Sequence, residues 1–287
     1  MDKVPIIIGP TAIGKTSYGI TLAKEIGAEI ISADSMQVYK YMDIGTAKPS
    51  VEERQDIPHH LIDIIGPGQE WTLHSFLEQV RPLLASDRKF IIVGGTGLYI
   101  RALIYNFNMP KLEINSSLRK ELKKQLSKEG LVQMYNRLNK VDSQAAKGIH
   151  ENDEYRILRA LEVYETLGEP ISKHQKMDTD YAKKFQLTCL STDREIVYAN
   201  INSRVDKMFE LGLVDEVMDL MTRGYSSDLP SMQALGYKEV FSFLQGEITL
   251  AACQELIKKR TRNFAKRQLT WYRSFPDVEW LDTKKMQ

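Results

Sequence analysis

The sequence has few of the features that mark a secreted, zinc-binding or membrane protein. It contains two cysteines, Cys189 and Cys253, and neither has a Cys or His nearby at metal-ligand spacing. This argues against a zinc site and for a reducing compartment. No apolar run approaches the length that crosses a bilayer, and a glycine loop begins at residue 9, which leaves no room for a signal peptide. We therefore expect a cytoplasmic protein without membrane contact.

The sequence also lacks a net charge that would favour one class of partner. Its 287 residues include 39 basic and 38 acidic side chains, a net charge of +1. Hydrophobic residues make up 43% and charged residues 27%, which is ordinary for a globular protein. The length allows one large domain or two.

The strongest functional signal is the stretch Gly-Pro-Thr-Ala-Ile-Gly-Lys-Thr at residues 9–16, which matches G-x-x-x-x-G-K-[ST]. Residues 4–8 before it predict a buried strand, and residues 16–26 predict a helix that stops at Gly27. In this setting backbone N–H groups and the positive helix end cradle a phosphate, Lys15 adds charge, and Thr16 offers a hydroxyl to Mg²⁺. We predict that a di- or triphosphate binds here.

The remaining pattern predicts an α/β fold, with a P-loop NTPase-like parallel sheet flanked by helices. Further strands are predicted at 29–33, 90–93 and 185–190, and helices at 72–86, 98–105, 193–212 and 249–273, with two more ending near Gly224 and Gly246. Residues 115–183 look helical and charged, with Asn115, Asp142 and Asn152 as helix caps. We therefore predict a catalytic core of residues 1–112 and 184–287 and an α-helical insertion domain of residues 113–183.

Asp34 follows the second predicted strand. Strand ends and the glycine loop line one crevice in such a sheet, so Asp34 should lie near the phosphates. It could be a Mg²⁺ ligand in a nucleotide hydrolase or a general base acting on an acceptor. Ser35 and Gln37 follow, and a Gln amide can read the edge of a base. The adjacent His59 and His60 are expected to have structural roles in a loop.

Arg204 is predicted to lie near the centre of an apolar helix face formed by Val197, Ile201, Val205, Met208 and Leu211. A buried guanidinium requires an anionic partner, which could be a core carboxylate or a phosphate. A phosphate is favoured because this helix starts at the carboxyl end of a core strand.

The last predicted helix carries a local excess of positive charge. Residues 255–273 contain seven basic residues and one acidic residue, a net of +6. Arg260 and Arg267 lie beside the apolar stripe, and an outward set lies opposite: Lys258, Lys259, Arg262, Lys266 and Arg273. Such a set suits contact with a nucleic-acid backbone, although a solvated helix face is the usual alternative. Arg156 and Arg159 form a second, weaker patch.

A regulatory GTPase is a competing interpretation. Residues 63–66 fit D-x-x-G and residues 139–142 fit N-K-x-D, in the GTPase order. The second motif should end a buried strand, but the residues before it have helical spacing. This interpretation is therefore disfavoured.

Eight stretches together resemble the tRNA dimethylallyltransferase (tRNA isopentenyltransferase, IPP transferase) family over nearly the whole chain. They are residues 9–16, 32–39 (Ser-Ala-Asp-Ser-Met-Gln-Val-Tyr), 42–49 (Met-Asp-Ile-Gly-Thr-Ala-Lys-Pro), 58–63 (Pro-His-His-Leu-Ile-Asp), 94–99 (Gly-Gly-Thr-Gly-Leu-Tyr), 152–161 (Asn-Asp-Glu-Tyr-Arg-Ile-Leu-Arg-Ala-Leu), 234–239 (Ala-Leu-Gly-Tyr-Lys-Glu) and 266–273 (Lys-Arg-Gln-Leu-Thr-Trp-Tyr-Arg). The zinc-finger ligands of eukaryotic members are lacking, so the chain resembles the bacterial type.

The resemblance implies transfer of a dimethylallyl group from dimethylallyl diphosphate to N6 of the adenosine next to the anticodon on its 3′ side, in tRNAs that read codons beginning with U. It implies that Asp34, Thr96 and Arg204 are catalytic, with Asp34 the general base. It implies Mg²⁺ at Thr16 and no membrane partner, and we expect a monomer. The implied diphosphate-binding residues are Gly9, Pro10, Thr11, Ala12, Ile13, Gly14, Lys15 and Thr16. The implied contacts to the tRNA anticodon stem-loop are Ser35, Met36, Gln37, Tyr155, Arg156, Ile157, Leu158, Arg159, Gln233, Ala234, Leu235, Gly236, Tyr237, Lys238 and Lys266.

Two alternatives remain. An adenylate isopentenyltransferase performs the same chemistry on a free nucleotide, but the helical insertion and the basic patches disfavour it. A nucleotide-hydrolysing GTPase or ATPase switch belongs to a different class of protein.

Overall fold

The computed structural model describes residues 3–110 and 116–286, and the chain divides into two compact units. The first comprises Met1–Arg101 with Lys183–Gln287, and the second is Ala102–Ala182. Asn115, predicted as a helix cap, lies outside the described residues.

The first unit is built on a six-stranded parallel sheet with the strand order β3-β2-β4-β1-β5-β6. Its strands are β1 (Val4–Ile8), β2 (Glu29–Ser32), β3 (His59–His60), β4 (Phe90–Val93), β5 (Phe185–Ser191) and β6 (Val278–Asp282). Ile and Val dominate the central strands, which suits strands that are covered on both faces. The predicted parallel α/β fold is confirmed.

Helices cover the sheet of this unit. They are α1 (Lys15–Ile26), α2 (Val51–Arg54), α3 (Leu73–Leu84), α4 (Gly97–Ile104), which begins in this unit, α11 (Arg194–Glu210), α12 (Leu213–Thr222), α13 (Tyr237–Leu244) and α14 (Leu250–Arg273), followed by a 3₁₀ turn (Thr283–Met286). Thr72 and Thr249, at which two of the predicted helices begin, cap α3 and α14 by accepting the backbone N–H groups of Ser75 and Ala252. Within the described residues, no helix has both the length and the apolar character needed to cross a membrane.

Two strands were missed by the sequence prediction, and both lie at the edges of the sheet. The segment that contains β3 was predicted as loop, and no strand was predicted after residue 273. β3 has two residues. β6 reads Val-Glu-Trp-Leu-Asp and is half exposed, so neither strand shows the apolar run or the alternation that marks a core strand.

The second unit is helical. Its helices are α5 (Ser116–Glu129), α6 (Leu131–Val141), α7 (Ser143–Gly148), α8 (Glu154–Leu167), α9 (Ile171–His174) and α10 (Thr179–Ala182). Asp142 caps α7 as predicted by accepting the Ala145 N–H, at 2.9 Å. The predicted cap Asn152 is wrong: Asp153 directly precedes α8 and accepts the Arg156 N–H, at 3.1 Å.

A buried carboxylate on α8 is the main polar feature of this unit. The Glu162 side chain is 6% exposed and accepts charged hydrogen bonds from Arg119, at 2.6 Å, and Arg159, at 2.7 Å. Burial alone would raise the pKa of Glu162, but the hydrogen bonds from the two arginines outweigh it, so the pKa is lowered.

We predict that Glu162→Gln lowers the free energy of unfolding by about 1–2 kcal/mol at pH 7, because two partly exposed arginines lose a charged acceptor. The lowered pKa means that the stabilisation is present at neutral pH and is lost as the pH falls through that pKa. Urea titrations at pH 7 and pH 4 measure the free energy of unfolding and its dependence on pH. Glu165→Gln is the control, since Glu165 lies on the same helix as Glu162 and pairs with Arg137 of α6, but is 35% exposed. Equal losses in the two variants would contradict the prediction.

Candidate active site

A cavity of about 630 Å³ opens at the carboxyl edge of the sheet. Its lining includes four polar residues from four segments of the chain: Thr11 from the glycine loop, Asp34 after β2, Thr96 after β4, and Arg204 from α11. The sequence predicted that Asp34 and the glycine loop would meet at this edge, and the structure brings them together there.

The ends of β2 and β4 fix the position of Asp34. The Ala33 N–H donates to the Val93 carbonyl, at 2.8 Å, and the Thr96 N–H donates back to the Ala33 carbonyl, at 3.2 Å. A Cβ at Gly94 would lie 2.3 Å from the Ala33 carbonyl oxygen, so glycine is required for this approach. Asp34 Oδ1 then accepts the Met36 N–H, at 2.8 Å, which directs the carboxylate along its own loop.

Thr96 is connected to the same loop. Its Oγ1 accepts the Ser35 N–H, at 3.1 Å. The hydroxyl of Thr96 and the carboxylate of Asp34 are therefore held on adjacent parts of one cavity wall. The backbone on both sides of Asp34 is held in place, because Ala33 is hydrogen-bonded to Val93 and Thr96, and Ser35 is hydrogen-bonded to Thr96.

The glycine loop adopts the tight turn that its sequence predicts. Gly14 has φ of 94°, which favours glycine, and it directly precedes α1. Lys15 Nζ donates to the Pro10 carbonyl, at 2.9 Å, so the ammonium group curls over the loop. The Thr11 N–H donates to the Gln268 side chain, at 2.9 Å, so this amide of the predicted cradle is already engaged.

Arg204 has no carboxylate within ion-pair distance in the described part of the chain. Its Nη1 donates to Thr11 Oγ1, at 3.4 Å, and its side chain lines the cavity. Burial lowers the pKa of Arg204, with Glu53 and Asp34 opposing from a distance. The alternative of a structural ion pair is therefore wrong, and the guanidinium is free to bind an anion in the cavity. The predicted apolar neighbour Leu211 is 60% exposed, because it follows the last turn of α11.

Lys15 is the most strongly perturbed cation of the site. Burial, reinforced by the positive charge of Arg204, lowers the pKa of Lys15 to about 8, and Asp34 opposes this shift. A bound anion would offset the repulsion between the two cations and would favour the charged form of the lysine.

Some of the predicted tRNA-contacting residues line the cavity and others do not. Ser35 and Met36 line the cavity, as do Gln233, Ala234, Leu235, Gly236, Tyr237 and Lys238. Gln37 does not: its Oε1 accepts from Ser32 Oγ, at 3.0 Å, and its Nε2 donates to the Ala47 carbonyl, at 3.4 Å. Its amide is hydrogen-bonded inside the protein, so reading a base would require these bonds to break, and this role of Gln37 stays a prediction.

The remaining predicted contacts lie elsewhere. Tyr155, Arg156, Ile157, Leu158 and Arg159 belong to α8 in the helical unit, and Lys266 is exposed on α14. Tyr155 is 79% exposed, whereas Ile157 is fully buried in the core of its unit. The burial of Ile157 leaves its backbone as the group that could contact RNA, and the role of this residue stays a prediction.

Sequence reasoning missed Glu216 on α12. Its carboxylate accepts the backbone N–H groups of Asp43, Ile44 and Gly45, at 2.8, 2.7 and 3.1 Å. It also accepts the Tyr237 hydroxyl, at 2.7 Å. Glu216 thereby holds the loop that forms one wall of the cavity. No sequence signal marks a single Glu on an amphipathic helix for such a role.

The GTPase interpretation fails on geometry. Residues 139–141 lie in α6 and Asp142 caps α7, so this motif does not follow a strand. Asp63 is paired with Lys48, at 2.6 Å, and with Arg54, at 3.6 Å.

Comparison with known proteins identifies a family for this chain. The IPP transferase family matches residues 37–275, and the isopentenyl transferase family matches residues 2–63. A tRNA dimethylallyltransferase of Carboxydothermus hydrogenoformans is 47% identical, with 99% of this chain and 93% of that protein covered. The chain belongs to the tRNA dimethylallyltransferase family. A further member, from Acetivibrio thermocellus, is 45% identical over 98% of this chain and 92% of its own length.

Solved structures of the family share the fold. A tRNA isopentenylpyrophosphate transferase of Bacillus halodurans has a TM-score of 0.71 and 40% identity, covering 98% of this chain and 90% of that one. A eukaryotic dimethylallyltransferase acting on tRNA has a TM-score of 0.78 and 28% identity, covering 98% of this chain and 74% of that one. The dimethylallyltransferase fold is thus shared along nearly the whole chain.

We predict that binding of inorganic pyrophosphate weakens as Lys15 loses its proton. With a pKa of about 8 in the free protein, affinity should fall about tenfold between pH 7 and pH 9 through this group, because the bound anion favours the charged lysine. Titration calorimetry at both pH values measures the change.

The control is Lys15→Arg, which stays charged across this range. Titration of pyrophosphate itself affects both proteins equally, so wild type should lose about tenfold more affinity than the variant. Parallel pH dependences would show that Lys15 is already fully charged in the free protein.

Proposed function

We propose that this chain transfers the dimethylallyl group of dimethylallyl diphosphate to N6 of A37, the adenosine 3′-adjacent to the anticodon, in tRNAs that read UNN codons. The observation that carries the proposal is that Thr11 of the phosphate-binding loop, an arginine without an ion pair to the described residues and a carboxylate line one cavity. A leaving diphosphate needs cations and N–H groups, and an adenine N6 needs a proton acceptor. Thr11 and Arg204 on one side and Asp34 on the other support a site in which both requirements are met.

The proposed reaction breaks the C–O bond of dimethylallyl diphosphate as the bond between the allylic carbon and N6 forms. Residues 9–16 hold the departing diphosphate, with Lys15 and Arg204 balancing its developing charge. Asp34 accepts the proton that N6 loses. Thr96 lies beside the reacting centre and holds the Asp34 loop through its bond to Ser35.

Mg²⁺ fits the donor set around Thr16. Thr16 follows Lys15 at the start of α1 and lines a second, small pocket together with Ser32 and Gln37, so its hydroxyl would have to bind the ion from there. No cluster of three acidic, His or Cys side chains that could hold a metal occurs among the described residues. The ion would thus be bound by Thr16 and substrate phosphate oxygens, as is common for Mg²⁺. When bound, it would neutralise part of the diphosphate charge.

The target adenosine must leave its stack to enter the cavity, and a single-stranded anticodon loop makes this inexpensive. Ser35, Met36 and residues 233–238 line the space in which the base would be bound. We propose that the insertion domain of residues 113–183 also contacts the anticodon stem-loop, through the exposed side of α8. The protein would act as a cytoplasmic monomer.

The competing activity is transfer to free AMP. Incubation with labelled dimethylallyl diphosphate and either bulk tRNA or AMP, followed by counting of label in each acceptor, separates the two. We expect label in tRNA and none above background in AMP. Label in AMP alone would refute the proposed acceptor, and label in neither would refute the transfer.

We predict that Asp34→Asn reduces the transfer rate by about 10²–10⁴-fold, because an amide cannot accept the N6 proton. The substitution keeps the acceptor oxygen for the Met36 N–H, so the loop and tRNA binding should be preserved. Single-turnover transfer and a filter-binding assay with tRNA measure the two properties. Asp56→Asn, at an exposed position outside the cavity, is the control. Near wild-type turnover in Asp34→Asn would remove Asp34 from the mechanism.

We also predict a change in salt dependence from the outward face of α14. Lys258 and Arg262 are held by Asp206 and Asn202, at 2.7 and 2.6 Å, which leaves Lys259, Lys266 and Arg273 without an ion pair to the described residues. Changing these three to Gln should weaken binding of all tRNAs about equally. It should also flatten the slope of log affinity against log salt by somewhat under one unit per lost contact.

Lys24→Gln is the matched control for this salt series. Lys24 lies in the last turn of α1, at the end of the helix remote from the glycine loop. Its removal should leave the slope unchanged. An unchanged slope in the triple variant would show that Lys259, Lys266 and Arg273 face solvent and do not contact the tRNA backbone.

A further inference from the structure

One buried glutamine joins the two glycine loops of the cavity. Gln268 on α14 is 4% exposed. Its Oε1 accepts the Thr11 N–H, at 2.9 Å, and its Nε2 donates to the Gly95 carbonyl, at 3.0 Å. A single amide group therefore bridges the loop of residues 9–16 and the loop of residues 94–97.

The same helix contacts both loops again one turn later. The Tyr272 hydroxyl lies 3.2 Å from the Gly9 carbonyl and 3.1 Å from the Gly95 carbonyl, so it can donate to either loop. A Cβ at Gly95 would lie 2.4 Å from Gln268 Nε2, and one at Gly97 would lie 2.9 Å from the Trp271 ring. Glycine in the second loop is what allows α14 to approach this closely.

Each loop carries one half of the proposed chemistry. The first would hold the diphosphate. The second carries Thr96, whose Oγ1 holds the Ser35 N–H beside Asp34. The distance between the leaving group and the proton acceptor therefore depends on the distance between the two loops. Gln268 is a direct side-chain bridge across that distance.

We propose that Gln268 is a positioning residue for the transfer reaction, which sets the spacing between the diphosphate loop and the loop that carries Thr96. This inference rests on the proposed function. Gln268 does not line the cavity, so its effect on the reaction is exerted through the Thr11 N–H and the Gly95 carbonyl. Tyr272 supports the same junction from the next turn of α14.

The two hydrogen bonds require an amide. One end of the side chain must accept and the other must donate, which Gln does without carrying charge. A thioether of similar length offers neither, and it would leave a buried N–H and a buried carbonyl without partners. A carboxylate keeps the acceptor but places a second oxygen against the Gly95 carbonyl, unless that oxygen is protonated.

The first test is Gln268→Met, measured in steady-state transfer to tRNA with folded protein quantified. We expect kcat to fall by about 100-fold, because a displacement of about 1 Å between reacting groups has this effect. The KM for tRNA should stay within about threefold of wild type, since the tRNA contacts are not altered. Gln254→Met is the matched control, because Gln254 lies on the same helix and donates to Asp206, at 2.7 Å, away from both loops.

The second test separates positioning from a loss of fold stability. In Gln268→Glu the introduced carboxyl is buried, so its pKa is raised, and its protonated form can again donate to Gly95. The kcat of the variant divided by that of wild type should therefore increase as the pH falls from 9 to 6. A purely structural role would lower the melting temperature and leave this ratio flat.

The outcomes identify which claim fails. If wild type transfers label to tRNA but Gln268→Met retains its kcat per folded molecule, the positioning role is wrong and the proposed function stands. A pH-independent ratio in Gln268→Glu also contradicts the positioning role. If wild type itself transfers no label, the proposed function fails and this inference with it.

Discussion

The strand ends of β2 and β4 approach so closely that a single methyl group on Gly94 would overlap the Ala33 carbonyl, at 2.3 Å. This contact depends on a parallel sheet in which β4 lies between β1 and β2, so that the loops after all three strands emerge side by side. The Ala33 N–H donates to the Val93 carbonyl and the Thr96 N–H donates to the Ala33 carbonyl, and these hydrogen bonds hold the two strand ends together. The position of Asp34 follows from these backbone contacts, and therefore from the topology of the sheet.

The electrostatics of the cavity follow from the same arrangement. Lys15 and Arg204 are brought to the mouth of the glycine loop with no carboxylate in ion-pair contact among the described residues, and their mutual repulsion together with burial depresses the pKa of the lysine. Such a site is unfavourable when empty and favourable when it holds a multivalent anion. Binding energy from the diphosphate is thereby available where charge develops as the C–O bond breaks.

Local patterns predicted the parts of the site that depend on neighbours in the sequence. The glycine loop and Asp34 were found from the order strand, loop and helix, and Arg204 from helical periodicity. Glu216 and Gln268 were missed because their backbone partners are 171 to 173 and 173 to 257 residues away, a separation that no local pattern encodes. For Gln37 the residue type suggested base recognition, but tertiary contacts with Ser32 and Ala47 engage its amide. Of the edge strands, β3 is too short and β6 too polar and exposed to show the pattern of a core strand.

The most direct measurement is a crystal structure of the chain with a non-reactive thiolo analogue of dimethylallyl diphosphate and an anticodon stem-loop RNA. The account predicts the diphosphate in the loop of residues 9–16, in contact with Lys15 and Arg204, with the adenine N6 about 3 Å from the Asp34 carboxylate. An adenine bound outside the cavity, or Asp34 turned toward a metal ion and away from N6, would contradict it.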